Sequence, residues 1–176
     1  MQIADLCPNL EIINIDEITF LSDESFIYFI SKTKHRLRRF WLDGESLTDK
    51  SFSVLGTLHR LELLSISFSD NMRSKGLEAI SKLSNLEWLK IRRGSSLLSS
   101  DFVSAFSEQK LEKLIFLDLS ECACLSDLGL MIIAKNCPNL ATLNLNWCWE
   151  LTDVSLKMVV KNCRFMINLN LCGVVK

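Results

Sequence analysis

The sequence has little histidine, little glycine and almost no net charge, and each scarcity removes a class of function. Only two histidines and six glycines occur among its 176 residues, and the net charge is −1. A near-neutral chain gives no reason to expect a nucleic-acid partner or a charged membrane surface, which a basic excess usually indicates. The glycines form no phosphate-binding loop, and no apolar run reaches the roughly 18 residues of a membrane span. We therefore expect neither nucleic acid nor membrane as a partner.

One short stretch is strongly basic, Lys32 to Arg39 with the sequence KTKHRLRR. Such a cluster is compatible with a nuclear signal or a nucleic-acid patch. It also lies where a helix is predicted to end, and cations are favoured at the negative end of a helix dipole. Leu37 inside it occupies a predicted core position, so we favour the structural interpretation.

What the chain has in abundance is an apolar pattern that recurs about every 26 residues. Each unit opens with an apolar residue and has further apolar residues three and five positions later. This alternation indicates a short strand whose inward side chains feed one core. The openings are Leu10, Leu37, Leu61, Leu86, Leu114, Leu140 and Met166. We expect six full repeats and a partial seventh from 166 in one domain over 1–176, with 1–9 as the tail of a preceding repeat.

A helix is predicted in the second half of each repeat. In the unit from Leu114, the residues Leu130, Ile133, Ala134 and Cys137 fall on one side of a helix. Helix caps are expected at Asp23, Asp49, Ser74, Ser99, Asp127 and Asp153, because such side chains accept hydrogen bonds from a first helical turn. The pattern predicts an α/β solenoid. Both ends lack a polar capping unit, which indicates a fragment, short isoform or incomplete gene model, the alternative being irregular edge units.

Two units carry a family resemblance. Residues 114–139 (LIFLDLSECACLSDLGLMIIAKNCPN) and 140–163 (LATLNLNWCWELTDVSLKMVVKNC) resemble the cysteine-containing leucine-rich repeat of F-box/LRR proteins. At the cysteine position the first four units instead hold Ile18, Glu45, Ser69 and Gly94, so there the resemblance depends on periodicity alone.

The resemblance implies a right-handed horseshoe with parallel strands on the concave face and helices on the convex face. It further implies the substrate-binding region of an SCF-type, cullin-RING ubiquitin ligase receptor in ubiquitin-dependent degradation, with a protein substrate on the concave face. The ligase adaptor is expected as a partner only if an F-box precedes this segment. The alternative is a stand-alone LRR regulatory binder or scaffold without a role in ubiquitin transfer.

The seven cysteines are an odd number, and several occupy equivalent places in the repeat. This usage indicates reduced core thiols in a cytoplasmic or nuclear compartment. A zinc site would need four convergent ligands. The spacing of Cys122 and Cys124 lacks the usual two-residue turn, and Cys122 and Cys148 are equivalent core positions, so no metal or other cofactor is expected.

Catalysis by a cysteine would require a histidine beside the thiol. His35 and His59 both lie near predicted helix ends or turns, in units remote from Cys122 and Cys148. We therefore expect no enzymatic activity and no catalytic residues.

The most informative surface is the concave face, to which side chains at positions +2, +4 and +6 of each unit point. Leu63, Trp88 and Phe116 would form a lateral apolar row there, since neighbouring strands lie about 4.8 Å apart. Exposed aromatics with arginines are typical of binding hot spots. The candidate protein-binding residues are Arg39, Trp41, Leu63, Trp88, Lys90, Arg92, Phe116 and Asp118. The alternative is that Trp88 and Phe116 merely pack on each other or on a C-terminal segment, and Trp147 is a candidate extension along the rim.

Overall fold

Strands and helices alternate along the whole of residues 3–174, which are the residues that the structure, a computed structural model, describes. The strands are β1 (Ile12–Ile15), β2 (Arg39–Asp43), β3 (Leu63–Ser67), β4 (Trp88–Ile91), β5 (Phe116–Asp118), β6 (Thr142–Asn144) and β7 (Asn168–Asn170). The helices are α1 (Ile3–Leu6), α2 (Asp23–Thr33), α3 (Asp49–Val54), α4 (Ser74–Ser81), α5 (Ser99–Ser107), α6 (Asp127–Asn136) and α7 (Asp153–Asn162), and a single 3-10 turn, Leu55–Thr57, follows α3. Met1 and Gln2 of the predicted N-terminal tail, and residues 175–176 of the predicted last unit, lie outside the described residues.

The seven strands form one parallel sheet in chain order, from β1 to β7. Their register aligns the repeats position by position, so that Leu117 pairs with Leu143 and Leu143 with Leu169. The predicted alignment of these three leucines in adjacent strands is confirmed. In the first six repeats the side chains at +3 and +5 are buried, as leucine spacing with a period of two requires.

Each helix packs its apolar side against these inward strand residues. Leu130, Ile133, Ala134 and Cys137 of the fifth repeat are all buried, as predicted, and belong to a core that runs through the whole stack. Neighbouring helices also pack against one another in chain order. The molecule is therefore the α/β leucine-rich-repeat solenoid that the sequence predicts, with helices on one face of the sheet and the other face open.

The predicted helix caps are displaced by one residue. The predicted residues are the first residues of their helices, and the N-caps stand one place earlier, at Ser22, Thr48, Arg73, Leu98, Ser126 and Thr152. Where the cap is serine or threonine, its hydroxyl accepts a hydrogen bond from a backbone N–H of the first turn. The preceding hydroxyl residue therefore caps the helix, and the aspartate is released for another contact.

That contact lies in the next repeat. Oδ1 of Asp127 accepts from the N–H of Thr152 at 2.9 Å and from the Ser155 hydroxyl at 2.5 Å, while Oδ2 accepts from the Thr152 hydroxyl. Asp23 contacts Thr48 and Ser51 in the same way. Desolvation raises the pKa of the two carboxyl groups, but these hydrogen bonds outweigh it, so the pKa of both Asp23 and Asp127 is lowered. Each aspartate thus fastens its own helix to the N-terminus of the following one.

In six of the seven repeats the backbone turns at position +7 with a positive φ, the exception being Gly44 in the second repeat. Five non-glycine residues adopt positive φ there, between 56° and 65°, namely Glu17, Phe68, Arg93, Glu121 and Trp147. Gly173 occupies the same position in the last repeat with φ 79°. Left-handed backbone is uncommon for residues with a side chain, and its recurrence gives the solenoid a rim of projecting side chains along the carboxyl ends of the strands.

Candidate functional site

The open face of the sheet, here called the sheet face, carries the +2, +4 and +6 side chains. Its most distinctive feature is the aromatic row, formed by Leu63, Trp88 and Phe116. The pairing of β3 with β4 and of β4 with β5 places these three residues directly side by side. All three are partly exposed. The predicted lateral apolar row is therefore present in the structure.

The two aromatic rings of the row are stacked. The centroids of Trp88 and Phe116 lie 4.3 Å apart with an angle of 6° between the planes. Mutual packing on the ladder was the alternative interpretation of these two residues, and the structure shows it together with continued exposure of their outer faces. Stacking fixes both rings, so a partner that contacts them loses little side-chain freedom on binding.

Charges of opposite sign border the aromatic row. Glu62 and Glu87 precede the row residues on β3 and β4, and a depression of about 310 Å³ lies among them. Lys90 and Arg92 follow Trp88 towards the carboxyl end of the strands, and both are partly exposed. Glu62 is already engaged by Arg38 at 2.5 Å. At Trp88 the row thus has a glutamate, Glu87, on one side and the basic Lys90 and Arg92 on the other.

The remaining predicted residues differ in how much of the side chain is exposed to a partner. Arg39 is exposed beside Leu63, and Trp41 is partly exposed in the next row. Asp118 lies on the predicted face, but its side chain is buried and turned towards its own chain. Its Oδ1 accepts from the backbone N–H of Ser120 at 2.8 Å and from the Ser120 hydroxyl at 2.5 Å. Asp118 therefore shapes the end of β5 more than it meets a partner.

Two further residues enlarge this surface. Ile115 is 49% exposed and lines the depression beside the aromatic row. A signal for it exists in the sequence, since the first four repeats hold Glu or Arg at the corresponding +1 position. Trp147 is 50% exposed and lines a second depression together with Trp88 and Lys90. Its left-handed backbone, which directs it over the rim, has no signal in the sequence.

The candidate thiols are buried in the core, and the two histidines lie on the surface. Cys122 and Cys148 lie in equivalent buried positions and donate hydrogen bonds to backbone carbonyls of the preceding repeats. Burial raises the pKa of Cys122 and raises the pKa of Cys148 to about 12, so both are protonated at neutral pH. His35 and His59 are exposed in turns. Within the described residues, no group of three or more His, Cys, Asp or Glu side chains is arranged to hold a metal ion.

The side chains of the basic stretch, residues 32–39, make several separate local contacts. Leu37 is fully buried, whereas Arg36 donates to the carbonyls of Ala4 and Cys7. Arg38 pairs with Glu62. These contacts fit the structural interpretation of the stretch. None of the helices in residues 3–174 has the length and apolar character needed to cross a membrane.

Comparison with known proteins finds similarity among solved structures. No protein-family model and no curated protein sequence matches the chain. Among solved structures, it is similar to a chain in the crystal structure of the Rad7 and Elc1 complex in yeast, with a TM-score of 0.47 and 17% sequence identity. The match covers 96% of this chain and 57% of that chain, so this chain spans little more than half the length of its neighbour. Membership of the F-box/LRR family stays a prediction.

Proposed function

We propose that this chain is a protein-recognition module without catalytic activity, and that it forms the substrate-binding leucine-rich-repeat region of a cullin-RING ubiquitin ligase receptor. In this role a substrate protein docks on the sheet face, and the chain supplies shape and charge complementarity. The ligase part of the proposal derives from the resemblance of residues 114–163 to the repeats of F-box/LRR proteins.

The observation that carries the proposal is the aromatic row itself. Polar residues would suffice on the solvent side of a sheet, yet Trp88 and Phe116 stack there beside the partly exposed Leu63. Tryptophan and arginine are the residues that most often dominate binding energy at protein interfaces. Arginine is present on the same face as well, as the exposed Arg39 and the partly exposed Arg92.

The absence of catalysis is supported by the chemistry of the candidate nucleophiles. A cysteine nucleophile needs a thiol of low pKa, whereas burial raises the pKa of Cys137 to about 12 and that of Cys163 to about 11. Both histidines lie in exposed turns. A recognition role requires none of this chemistry.

The test begins with affinity purification and mass spectrometry, which identify the bound proteins. The variant carrying both Trp88→Ala and Arg92→Ala should lose the substrate while its thermal melt stays within a few degrees of the parent. Co-purification of a cullin-ligase adaptor with the full-length protein, and slower turnover of the substrate when the protein is depleted, would support the ligase role. Substrate capture without adaptor binding would contradict the ligase role and leave recognition standing.

A further inference from the structure

A depression of about 380 Å³ lies on the sheet face between Trp88 and Trp147. Its floor comes from β4, β5 and β6. Lys90, Asp118 and Asn144 form one lateral row across these strands, and Arg92 and Asn146 lie beyond them. The depression therefore has a polar floor and an indole ring at each end.

The floor has hydrogen-bond donors without partners. Lys90 makes no ion pair or hydrogen bond with any residue among 3–174, although it is partly buried. Arg92 donates from one terminal nitrogen to Glu121 at 2.6 Å, but its Nε is buried and has no hydrogen-bond partner within the same residues. A buried donor without an acceptor costs free energy, and native proteins normally satisfy such groups with a ligand or water.

Both acidic groups nearby accept hydrogen bonds from neighbouring residues, and Glu121 is paired with the cationic Arg92. Oδ1 of Asp118 accepts two hydrogen bonds from Ser120, and Oε1 of Glu121 accepts from Arg92. The carboxylate of Asp118 is buried at the base of the floor. An incoming acceptor therefore meets the ammonium group of Lys90 and the exposed part of the Arg92 guanidinium group.

The indoles at the two ends indicate what accompanies this acceptor. One face of Trp147 rests on Gly173, where an added Cβ would come within 2.4 Å of the ring, and the residue as a whole is 50% exposed. Trp88 stands two strands away, on the order of 10 Å in the lateral direction. Trp147 also lies five positions further along its repeat than Trp88. Because successive side chains of an extended chain point to opposite sides, apolar residues two positions before and two positions after the acceptor would face the same side as it does and reach the indoles.

We propose that this depression binds the side-chain carboxylate of an aspartate or glutamate in a partner protein, with apolar neighbours in the partner packing on Trp88 and Trp147. The inference rests on the proposed recognition function and adds the chemistry of the partner. Indoles at both ends favour a carboxylate within a continuing chain over one at a chain terminus. The charged hydrogen bonds from Lys90 and Arg92 are then the specificity contacts.

The probe is the capped peptide acetyl-Leu-Ala-Glu-Ala-Leu-amide, titrated into the full chain and followed by two-dimensional NMR of the backbone and indole N–H groups. The expected result is a shift of the Trp88 and Trp147 indole signals and of Lys90. Replacing glutamate with glutamine in the peptide, or Lys90→Gln in the protein, should weaken binding about tenfold. Lys110→Gln, at an exposed lysine outside the depression, is the matched control and should bind like the parent.

A reciprocal exchange sharpens the test. The Lys90→Glu protein should reject the glutamate peptide and bind acetyl-Leu-Ala-Lys-Ala-Leu-amide, provided that its thermal melt shows a folded chain. Equal binding of the glutamate and glutamine peptides, or unchanged affinity in Lys90→Gln, would overturn the carboxylate site. Stronger binding of acetyl-Ala-Leu-Leu with a free terminus would overturn the choice of a side chain. Recognition itself would survive these results, because Phe116→Ala, in the aromatic row but outside the lining of the depression, tests it separately.

Discussion

The contact between repeats at Asp127 allows a quantitative prediction. In Asp127→Ala, Thr152 loses the acceptor of both its backbone N–H and its hydroxyl, and the buried Ser155 hydroxyl keeps only its 3.2 Å bond to the carbonyl of Thr152. Loss of a helix-cap interaction costs about 0.5–2 kcal/mol, and hydrogen bonds to charged groups are worth about 1.5–3 kcal/mol when well buried. Because Asp127 is partly exposed, we expect a total loss of about 2 kcal/mol.

The matched control is Asp153→Ala. Asp153 is likewise the first residue of its helix, but it is exposed. It should lose only its interaction with the helix dipole, about 0.3–1 kcal/mol. Urea unfolding followed by far-UV circular dichroism gives both values, and hydrogen exchange should show faster opening of α7 in Asp127→Ala alone. Equal losses for the two variants would refute the idea that Asp127 fastens neighbouring repeats.

The same contact predicts a dependence on pH. The pKa of Asp127 is lowered in the folded chain, so its contribution is complete above the unfolded value of about 3.9 and is lost as the pH falls through the folded pKa. The stability difference between the parent and Asp127→Asn should therefore be constant near neutrality and shrink below about pH 4. A difference that stays constant down to pH 2 would contradict the assigned hydrogen bonds.

Three further predictions concern the core. Gly76→Ala should destabilise the chain by about 1–3 kcal/mol, because its new Cβ would stand 2.6 Å from the Cβ of Phe52. Gly129→Ala, at the same helical position with its nearest contact at 3.1 Å to a flexible leucine, should be close to neutral in urea unfolding. Leu143→Arg should cost at least about 3 kcal/mol by leaving a charge unpaired in the stack, and an unchanged far-UV melt would contradict the register. Iodoacetamide at pH 7.5 should label the exposed Cys7 and Cys172 well before Cys122, as read by mass spectrometry.

The ladder of the core could be predicted from sequence because it depends on spacing alone. Apolar residues at +3 and +5 of every unit must face one side of a strand, and a constant period places equivalent residues such as Leu117 and Leu143 side by side. The lateral row of Leu63, Trp88 and Phe116 follows from the same register. These features need no knowledge of how individual side chains are oriented.

Other features depend on contacts between repeats, which spacing does not describe. Asp127 was predicted as a cap for its own helix, since a local pattern cannot show that its carboxylate reaches Thr152 in the next unit. Glycine is a poor guide to the left-handed turn at +7, since Gly44 stands at that position without a positive φ, whereas Trp147 adopts the turn. The stacking of Trp88 on Phe116 likewise required the orientation of two rings.

The measurement that bears most directly on the central claim compares two phenylalanines. Phe116 belongs to the aromatic row on the sheet face, while Phe20 lies in a loop and is 98% exposed. With a substrate protein identified by affinity purification, isothermal titration calorimetry should show Phe116→Ala binding at least about 30-fold more weakly than the parent, as expected for a hot spot worth 2 kcal/mol or more. Phe20→Ala should bind like the parent. Equal affinities for the parent and both variants would contradict recognition through the sheet face.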